Sequence, residues 1–270
     1  MTTETPINDL SIYLERMGRS VFDKLFAFDV GADVYVDFGC ADGMLVKLVA
    51  RLFPENTYIG YDKDPRMIEE ARREGGADNL SFTHCWDEVR VAIEEARRKK
   101  KDFKSCVLLF SVIHEVYSYD RETVLGFWNR IFGQEDHSPI QFDYVVIRDM
   151  AVSKTASRPS DPITVARVRQ LADKQQLADW EGQWGSISEN WSLTHFLLTY
   201  HYEENWEREL RENYLPVSVE DILHLFPFRY FPSFVSHYSL PFIRRKVRED
   251  FGLDFQEPTH LKVVMERREE

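Results

Sequence analysis

Short apolar segments alternate with amphipathic segments through the first 150 residues, and this alternation constrains the fold most. Val34–Phe38 reads as a short strand, and Ser105–Val112 and Tyr144–Ile147 are apolar enough for strands buried on both faces. Between such segments, apolar residues recur at helical spacing, as over Met44–Phe53. Because strands that alternate with helices form βαβ units, the sequence predicts an α/β fold with a doubly wound, Rossmann-like sheet.

Other segments complete this pattern before residue 150. A lead-in helix is predicted over 8–28, from the spacing of Leu10, Ile12, Leu14, Met17, Val21, Phe22, Leu25 and Phe26. Further strands are predicted at Tyr58–Tyr61 and Leu80–His84, and further helices at Pro65–Arg73, Asp87–Lys101 and Arg121–Phe132.

The strand rhythm stops between Met150 and Pro216, where four of the six tryptophans lie. Helices are predicted there near 162–180, 191–202 and 205–214. The α/β pattern then resumes with Ser218–Phe226, Tyr230–Tyr238, Leu240–Phe251 and His260–Met265. We therefore predict one α/β domain over 1–150 and 217–270, including an N-terminal helix over 1–30. Residues 151–216 form a helical insertion that follows strand 5 and caps the substrate.

The charge balance disfavours a protein that binds polyanions. The chain has 46 acidic and 34 basic side chains, a formal net charge of −12. Residues 1–150 contribute −8, and neither 151–216 nor 217–270 is net basic. Nucleic-acid binding needs clustered Lys and Arg, which here occur only in the short runs 97–101 and 244–246.

Other features indicate the compartment. Three scattered cysteines, Cys40, Cys85 and Cys106, do not suggest a disulfide framework or a zinc site. The N-terminus does not resemble a signal peptide, and no apolar run is long enough to cross a membrane. We expect a cytoplasmic protein with no membrane partner.

A glycine-containing turn follows the first predicted strand, in the sequence Val36-Asp-Phe-Gly-Cys-Ala-Asp-Gly43. Gly39 suits a tight turn that a ligand can approach closely, and Gly43 precedes a helix whose N–H groups are free. Asp62 stands at the end of the second strand, where a carboxylate can accept both hydroxyls of a ribose. Together these residues predict a nucleoside-containing cofactor.

The spacing of the same residues distinguishes between NAD and S-adenosylmethionine as the cofactor. The turn lacks the G-x-G-x-x-G pattern of dinucleotide-binding proteins, which makes a nicotinamide-dependent oxidoreductase a remote alternative. Asp37 would repel a pyrophosphate and attract a sulfonium or an ammonium. Asp37 and Asp62 therefore favour S-adenosylmethionine over NAD.

Four segments resemble the motifs of the class I S-adenosylmethionine-dependent methyltransferases. They are VDFGCADG at 36–43, YIGYDKDPRMIEEAR at 58–72, the segment Ser81–Asp87, and Leu109–Glu115. The resemblance covers about 1–150 and 217–270 and implies a seven-stranded sheet whose last strand is antiparallel. One departure is Ala41, which replaces the middle glycine of the first motif.

The resemblance implies a set of cofactor-binding residues. They are Asp37, Gly39, Cys40, Ala41, Gly43, Asp62, Lys63, Trp86, Asp87 and Ser111. Asp62 would take the ribose, and Trp86 and Asp87 would lie beside the adenine. Asp87 can equally cap the next helix, and the glycines can be ordinary turn residues.

Acceptor residues are expected at the carboxyl ends of the strands. His114 and Glu115 follow the fourth strand, where His114 either removes a proton from the acceptor or merely packs beside the cofactor. The predicted substrate residues are Arg148, Asp149, Trp191, His195, His237 and Tyr238. Arg148 and Asp149 can instead form a structural ion pair, and the insertion's aromatic residues can form a core. His114, Glu115, His237 and His260 have no tight spacing, so no metal ligand is predicted.

These features predict a methyltransferase that moves a methyl group to an oxygen, nitrogen or carbon atom of a small molecule beneath an aromatic helical cap. One alternative is an enzyme that methylates RNA or DNA, which needs a cationic groove that the charge distribution does not reveal. Another is a non-catalytic partner subunit with the same fold, against which the glycine turn and Asp62 argue.

Overall fold

The computed structural model describes residue 18 and residues 20–73, 75–119, 124–134 and 139–268. Its centre is a seven-stranded sheet in the order β3-β2-β1-β4-β5-β7-β6. The strands are β1 Val34–Phe38, β2 Thr57–Tyr61, β3 Leu80–Thr83, β4 Ser105–Phe110, β5 Tyr144–Met150, β6 Tyr230–Tyr238 and β7 His260–Arg267.

The sheet combines parallel and antiparallel strands. β1 to β5 are parallel, whereas β7 pairs antiparallel with both β5 and β6. The predicted doubly wound sheet with an antiparallel last strand is therefore confirmed. Because β1 and β4 lie side by side at the point where the strand order reverses, their carboxyl ends open onto a crevice.

Twelve α-helices are described, together with three-ten turns at Leu25–Asp29, Lys154–Ala156 and Glu203–Asn205. Those of the α/β part are α1 Val21–Lys24, α2 Met44–Leu52, α3 Pro65–Arg73, α4 Trp86–Lys99, α5 Ile113–Tyr119, α6 Val124–Ile131, α11 Val219–Leu225 and α12 Pro241–Phe251. Those of residues 151–216 are α7 Pro162–Leu171, α8 Lys174–Trp184, α9 Asn190–Thr199 and α10 Trp206–Glu209. In the described chain, no helix is both long and apolar enough to cross a membrane.

The N-terminal part differs from the prediction of one helix over 8–28. α1 ends at Lys24, and the backbone then tightens into a three-ten turn over Leu25–Asp29. The earlier apolar positions of that prediction, Leu10, Ile12, Leu14 and Met17, lie outside the described residues. α5 is an additional helix that the sequence analysis did not predict.

The insertion also departs from the prediction. The single helix at 162–180 is wrong, because Asp173 accepts a hydrogen bond from the Gln176 amide and so begins a second helix, α8. The helix predicted at 205–214 is wrong beyond Glu209. There the amides of Asn213 and Tyr214 donate to Ser118 Oγ (2.7 Å) and His195 Nε2 (3.0 Å) instead of to helix carbonyls.

The apolar residues form one core on each face of the sheet and a third within the insertion. The third core is centred on Trp180 and Phe196, both fully buried. It extends to Leu240, Ile243 and Val247 at the start of α12. This packing fixes the insertion over the carboxyl ends of β4 and β5.

Candidate active site

The glycine turn after β1 is held against β2. The amides of Gly39 and Cys40 donate to the Tyr61 carbonyl at 2.8 and 3.0 Å. Gly39, Ala41 and Gly43 all have a positive φ, and a Cβ atom on Gly39 would lie 3.2 Å from Val112 Cγ2. The chain thus exposes backbone at Gly39, as a close-fitting ligand requires.

Gly43 has a different role from the one predicted. It lines none of the cavities described below, and a Cβ atom there would lie 2.3 Å from Phe82 Cε1. Gly43 therefore allows α2 to pack closely on β3.

We expect Gly43→Ala to destabilise the fold. The left-handed backbone costs about 1–2 kcal/mol in the free energy of unfolding, and the contact with Phe82 adds about 1–3 kcal/mol. Gly75→Ala is the matched control, since Gly75 has a φ of 76° with nothing within 4 Å of its Cβ position. Denaturant unfolding measures both, and equal losses would contradict the packing role of Gly43.

Asp62 lies on the wall of a cavity of about 340 Å³, here called the Asp62 cavity. The carboxylate accepts hydrogen bonds from the amides of Ala41 (3.0 Å) and Asp64 (2.9 Å), and burial raises its pKa. The other lining residues are Phe38, Gly39, Tyr61, Lys63, Val112, Glu115, Val116, Tyr119, Gly126, Phe127 and Arg130. Apolar rings beside one carboxylate suit a planar base that carries a ribose.

Trp86 and Asp87 stand away from this cavity. The Trp86 ring packs edge-on against Phe38 and Tyr61, behind the wall of the Asp62 cavity. The Asp87 side chain is 82% exposed and pairs with Arg90 at 3.6 Å. Their predicted contact with the adenine stays a prediction.

A smaller recess of about 30 Å³, the Asp37 cavity, adjoins the glycine turn. Burial raises the pKa of Asp37 to about 6, against the opposing effect of the Lys24 ammonium. Burial also lowers the pKa of Lys24 to about 8. Both side chains line this recess together with Gly18, Val21, Gly39, Cys40, Asp42, Met44, Leu45 and Phe110.

A third cavity of about 110 Å³, the Glu212 cavity, lies between the sheet and the insertion. Its polar lining is Ser20, Lys24, Ser111, His114, Glu115, Arg148, Asn205, Glu209, Glu212 and His260. Its apolar and aromatic lining is Met150, Leu198, Tyr202, Tyr214, Leu240, Phe242 and Ile243. Sequence reasoning missed Lys24, Glu209 and Glu212, although Lys24 shares the buried face of its helix with Val21.

The three cavities adjoin one another. Gly39 lines both the Asp62 and the Asp37 cavities, and Lys24 lines both the Asp37 and the Glu212 cavities. Glu115 lines both the Asp62 and the Glu212 cavities. The cavities are thus neighbours at the carboxyl edge of the sheet.

His114 is oriented by β5. Its Nδ1 donates to Asp149 Oδ1 at 3.0 Å, and the other carboxylate oxygen accepts from the Ile113 amide. Burial alone would lower the pKa of His114, but the carboxylates of Asp149 and Glu212 raise it to about 9. In the ligand-free protein His114 is therefore protonated at neutral pH, the form that cannot accept a proton.

Arg148 faces the Glu212 cavity, held by Asp23 (Nε to Oδ2, 2.9 Å) and Ser111 Oγ (3.0 Å). One terminal nitrogen of its guanidinium is buried without a hydrogen-bond partner. Tyr238 donates to the same Asp23, so it lies behind Arg148 and not on the cavity wall.

The remaining predicted substrate residues are not brought to the cavity. His195 is fully buried against the rings of Trp180 and Trp191, and burial lowers its pKa to about 3. Trp191 donates to the Leu215 carbonyl, and His237 bonds to the Ala151 carbonyl. These residues contribute to packing in the structure.

Comparison with solved structures identifies the fold. The chain resembles the structure of TnmH with a TM-score of 0.52 at 14% identity, over 96% of this chain and 57% of that one. It resembles LaPhzM with a TM-score of 0.50 at 11% identity, over 96% and 57%. This chain thus spans little more than half the length of either protein.

Residues 36–133 match the family described as a methyltransferase domain. This match covers 98 of the 270 residues, from β1 to just after α6. The structure of a SAM-dependent methyltransferase from Anabaena variabilis ATCC 29413 is also similar. Its TM-score is 0.48 at 15% identity, over 98% of this chain and 89% of that one. No curated protein matches the sequence. The matched residues contain the glycine turn, Asp62 and His114.

Proposed function

We propose that the protein transfers the methyl group of S-adenosylmethionine to a small-molecule acceptor. The observation that carries this proposal is the row of neighbouring cavities that share Gly39, Lys24 and Glu115 as walls. A bound cofactor would lie with adenosine in the Asp62 cavity and methionine in the Asp37 cavity. Its methyl group would then face an acceptor in the Glu212 cavity.

The chain's own residues fit this cofactor. Asp62 has lone pairs left for the ribose hydroxyls after accepting two amide hydrogens. Asp37 lies where the cationic amine of the methionine would be, and Lys24 is suited to its carboxylate. When bound, the cofactor supplies an electrophilic methyl group on a sulfonium.

The proposed acceptor residues are those that face the Glu212 cavity. Arg148 lines the cavity and is suited to a polar group of the acceptor, and Asp149 positions His114. His114 and Glu115 would contact the acceptor beside the methyl group. Three glutamates on the wall, Glu115, Glu209 and Glu212, disfavour an acceptor that carries phosphate, so a small molecule is favoured over a nucleic acid.

Asp62→Ala tests the cofactor site. We expect S-adenosylhomocysteine to bind more weakly by about 1.5–3 kcal/mol for each hydrogen bond lost to the carboxylate. Isothermal titration calorimetry measures the dissociation constant. Asp62→Asn keeps one accepting oxygen and the side-chain volume, so its loss should be smaller.

Asp102→Ala is the matched control, because Asp102 is exposed and lies in the turn before β4, at the opposite edge of the sheet. The control should bind as the unmodified protein does. An unchanged dissociation constant in Asp62→Ala would sink the ribose assignment, and absence of binding by the unmodified protein would revive the non-catalytic alternative.

A further inference from the structure

Three side chains on the wall of the Glu212 cavity place their polar atoms close together around one point. His114, Glu115 and Glu212 each offer a ligand atom, and these atoms lie within 4.8 Å of one another. α5 provides the first two residues, and the loop between α10 and α11 provides the third. His114 and Glu212 are only 5% and 2% exposed, so their orientation is set by packing.

His114 presents a nitrogen to this point. Its Nδ1 is occupied by Asp149, whereas its Nε2 lies 3.7 Å from Glu212 Oε2, too far for a hydrogen bond. Metal-ligating histidines have this arrangement, with one ring nitrogen on a carboxylate and the other on the ion, so a bound ion would displace the Nε2 proton that His114 carries in the ligand-free protein. The buried imidazole thus faces the cavity in a ligating orientation.

Several carboxylates surround this point. Glu115, Glu209 and Glu212 line the cavity, and Asp149 lies directly behind His114. Arg208 pairs with Glu115 Oε1 at 3.1 Å and Glu212 Oε1 at 2.8 Å.

Two cationic side chains, Arg148 and Lys24, line the same cavity. Arg148 is paired with Asp23, and Lys24 also lines the Asp37 cavity.

We propose that His114, Glu115 and Glu212 bind a divalent metal ion, of the Mn²⁺ or Zn²⁺ type that accepts imidazole and carboxylate ligands together. Three protein ligands leave coordination positions open toward the cavity, where a lone pair of an acceptor oxygen or nitrogen can bind. That role in holding the acceptor rests on the proposed function, whereas binding of the ion does not.

The test uses Mn²⁺ and the purified full chain without cofactor, followed by electron paramagnetic resonance. We expect one tightly bound ion per chain and, in pulsed spectra, a ¹⁴N coupling from a coordinated imidazole that His114→Gln abolishes. Glu212→Gln should weaken Mn²⁺ binding by at least about tenfold. Glu209→Gln is the matched control, since it neutralises a buried glutamate in the same cavity outside the ligand set.

Two results would overturn the proposal: no stoichiometric Mn²⁺ binding or no ¹⁴N coupling in the unmodified protein, or an equal loss in Glu209→Gln and Glu212→Gln. An equal loss in the two variants would mean that the negative charge of the cavity attracts Mn²⁺ without coordination by Glu212. Because the ¹⁴N coupling needs no variant, it decides the question even if a variant does not fold. Titration of S-adenosylhomocysteine on the same sample shows separately whether the proposed function fails.

Discussion

Binding of S-adenosylhomocysteine is expected to be strongest between about pH 6 and pH 8 and to fall on both sides. Asp37 has a pKa of about 6 in the ligand-free protein, and the ligand's ammonium favours its ionised form. Lys24 has a pKa of about 8, and the ligand's carboxylate favours its protonated form. Below pH 6 binding must remove a proton from Asp37, and above pH 8 it must add one to Lys24, so affinity falls by up to about tenfold per pH unit on each side.

Variants assign the two limbs of this profile. Lys24→Met should make the alkaline limb shallower and weaken binding at pH 7 by about 1.5–3 kcal/mol, the contribution of a hydrogen bond to a charged group. Asp37→Asn should remove the acidic limb. Calorimetry at half-unit pH steps measures both profiles.

The ligand's own amine also titrates, and comparison of each variant with the unmodified protein at the same pH cancels that effect. The profile of Lys24→Met would then retain only the loss caused by the amine. An alkaline limb that is equally steep in Lys24→Met would show that Lys24 does not contact the carboxylate.

The sequence predicted the sheet well because its strands carry local signals. Apolar runs such as Ser105–Phe110 are buried on both faces, and this leaves a pattern that a single sequence reveals. Asp62 was found for a similar reason, since its role depends on its place at the end of β2. The prediction of the strands and the prediction of Asp62 each depend on only a few residues that are adjacent in the sequence.

The wall of the Glu212 cavity was not predictable in this way. Glu209 and Glu212 belong to a charged stretch, and charged side chains on such a stretch are usually solvated. They are instead 3% and 2% exposed, because Tyr214 and Arg208 pair with them locally and Tyr119 reaches Glu212 from 93 residues away. The contact with Tyr119 depends on the tertiary fold and leaves no local pattern.

The aromatic residues of the insertion are the opposite case, because they were predicted as site residues but lie in the core. Trp191 and His195 were predicted to contact substrate because aromatic residues often line ligand sites, but here Trp180, Trp184, Trp191 and His195 pack on one another. The tryptophans join the aliphatic residues of the insertion in its own core, where their large rings bury much apolar area.

Trp180→Ala is therefore expected to destabilise the protein more than any other single change in the insertion. The indole is 0% exposed and contacts the rings of His195 and Phe196, at 4.3 and 5.8 Å between centroids. Removing a buried tryptophan leaves a cavity and costs about 3–5 kcal/mol in the free energy of unfolding. Urea unfolding followed by circular dichroism measures this loss.

The same variant separates a core from a substrate surface. Trp180 lines none of the three cavities, so the folded variant should bind S-adenosylhomocysteine with an unchanged dissociation constant. Trp180→Phe is the control, because it keeps most of the aromatic volume and should lose less stability. If Trp180→Ala instead retained full stability and lost turnover with the true acceptor, the aromatic residues of the insertion would belong to the acceptor site and not to its core.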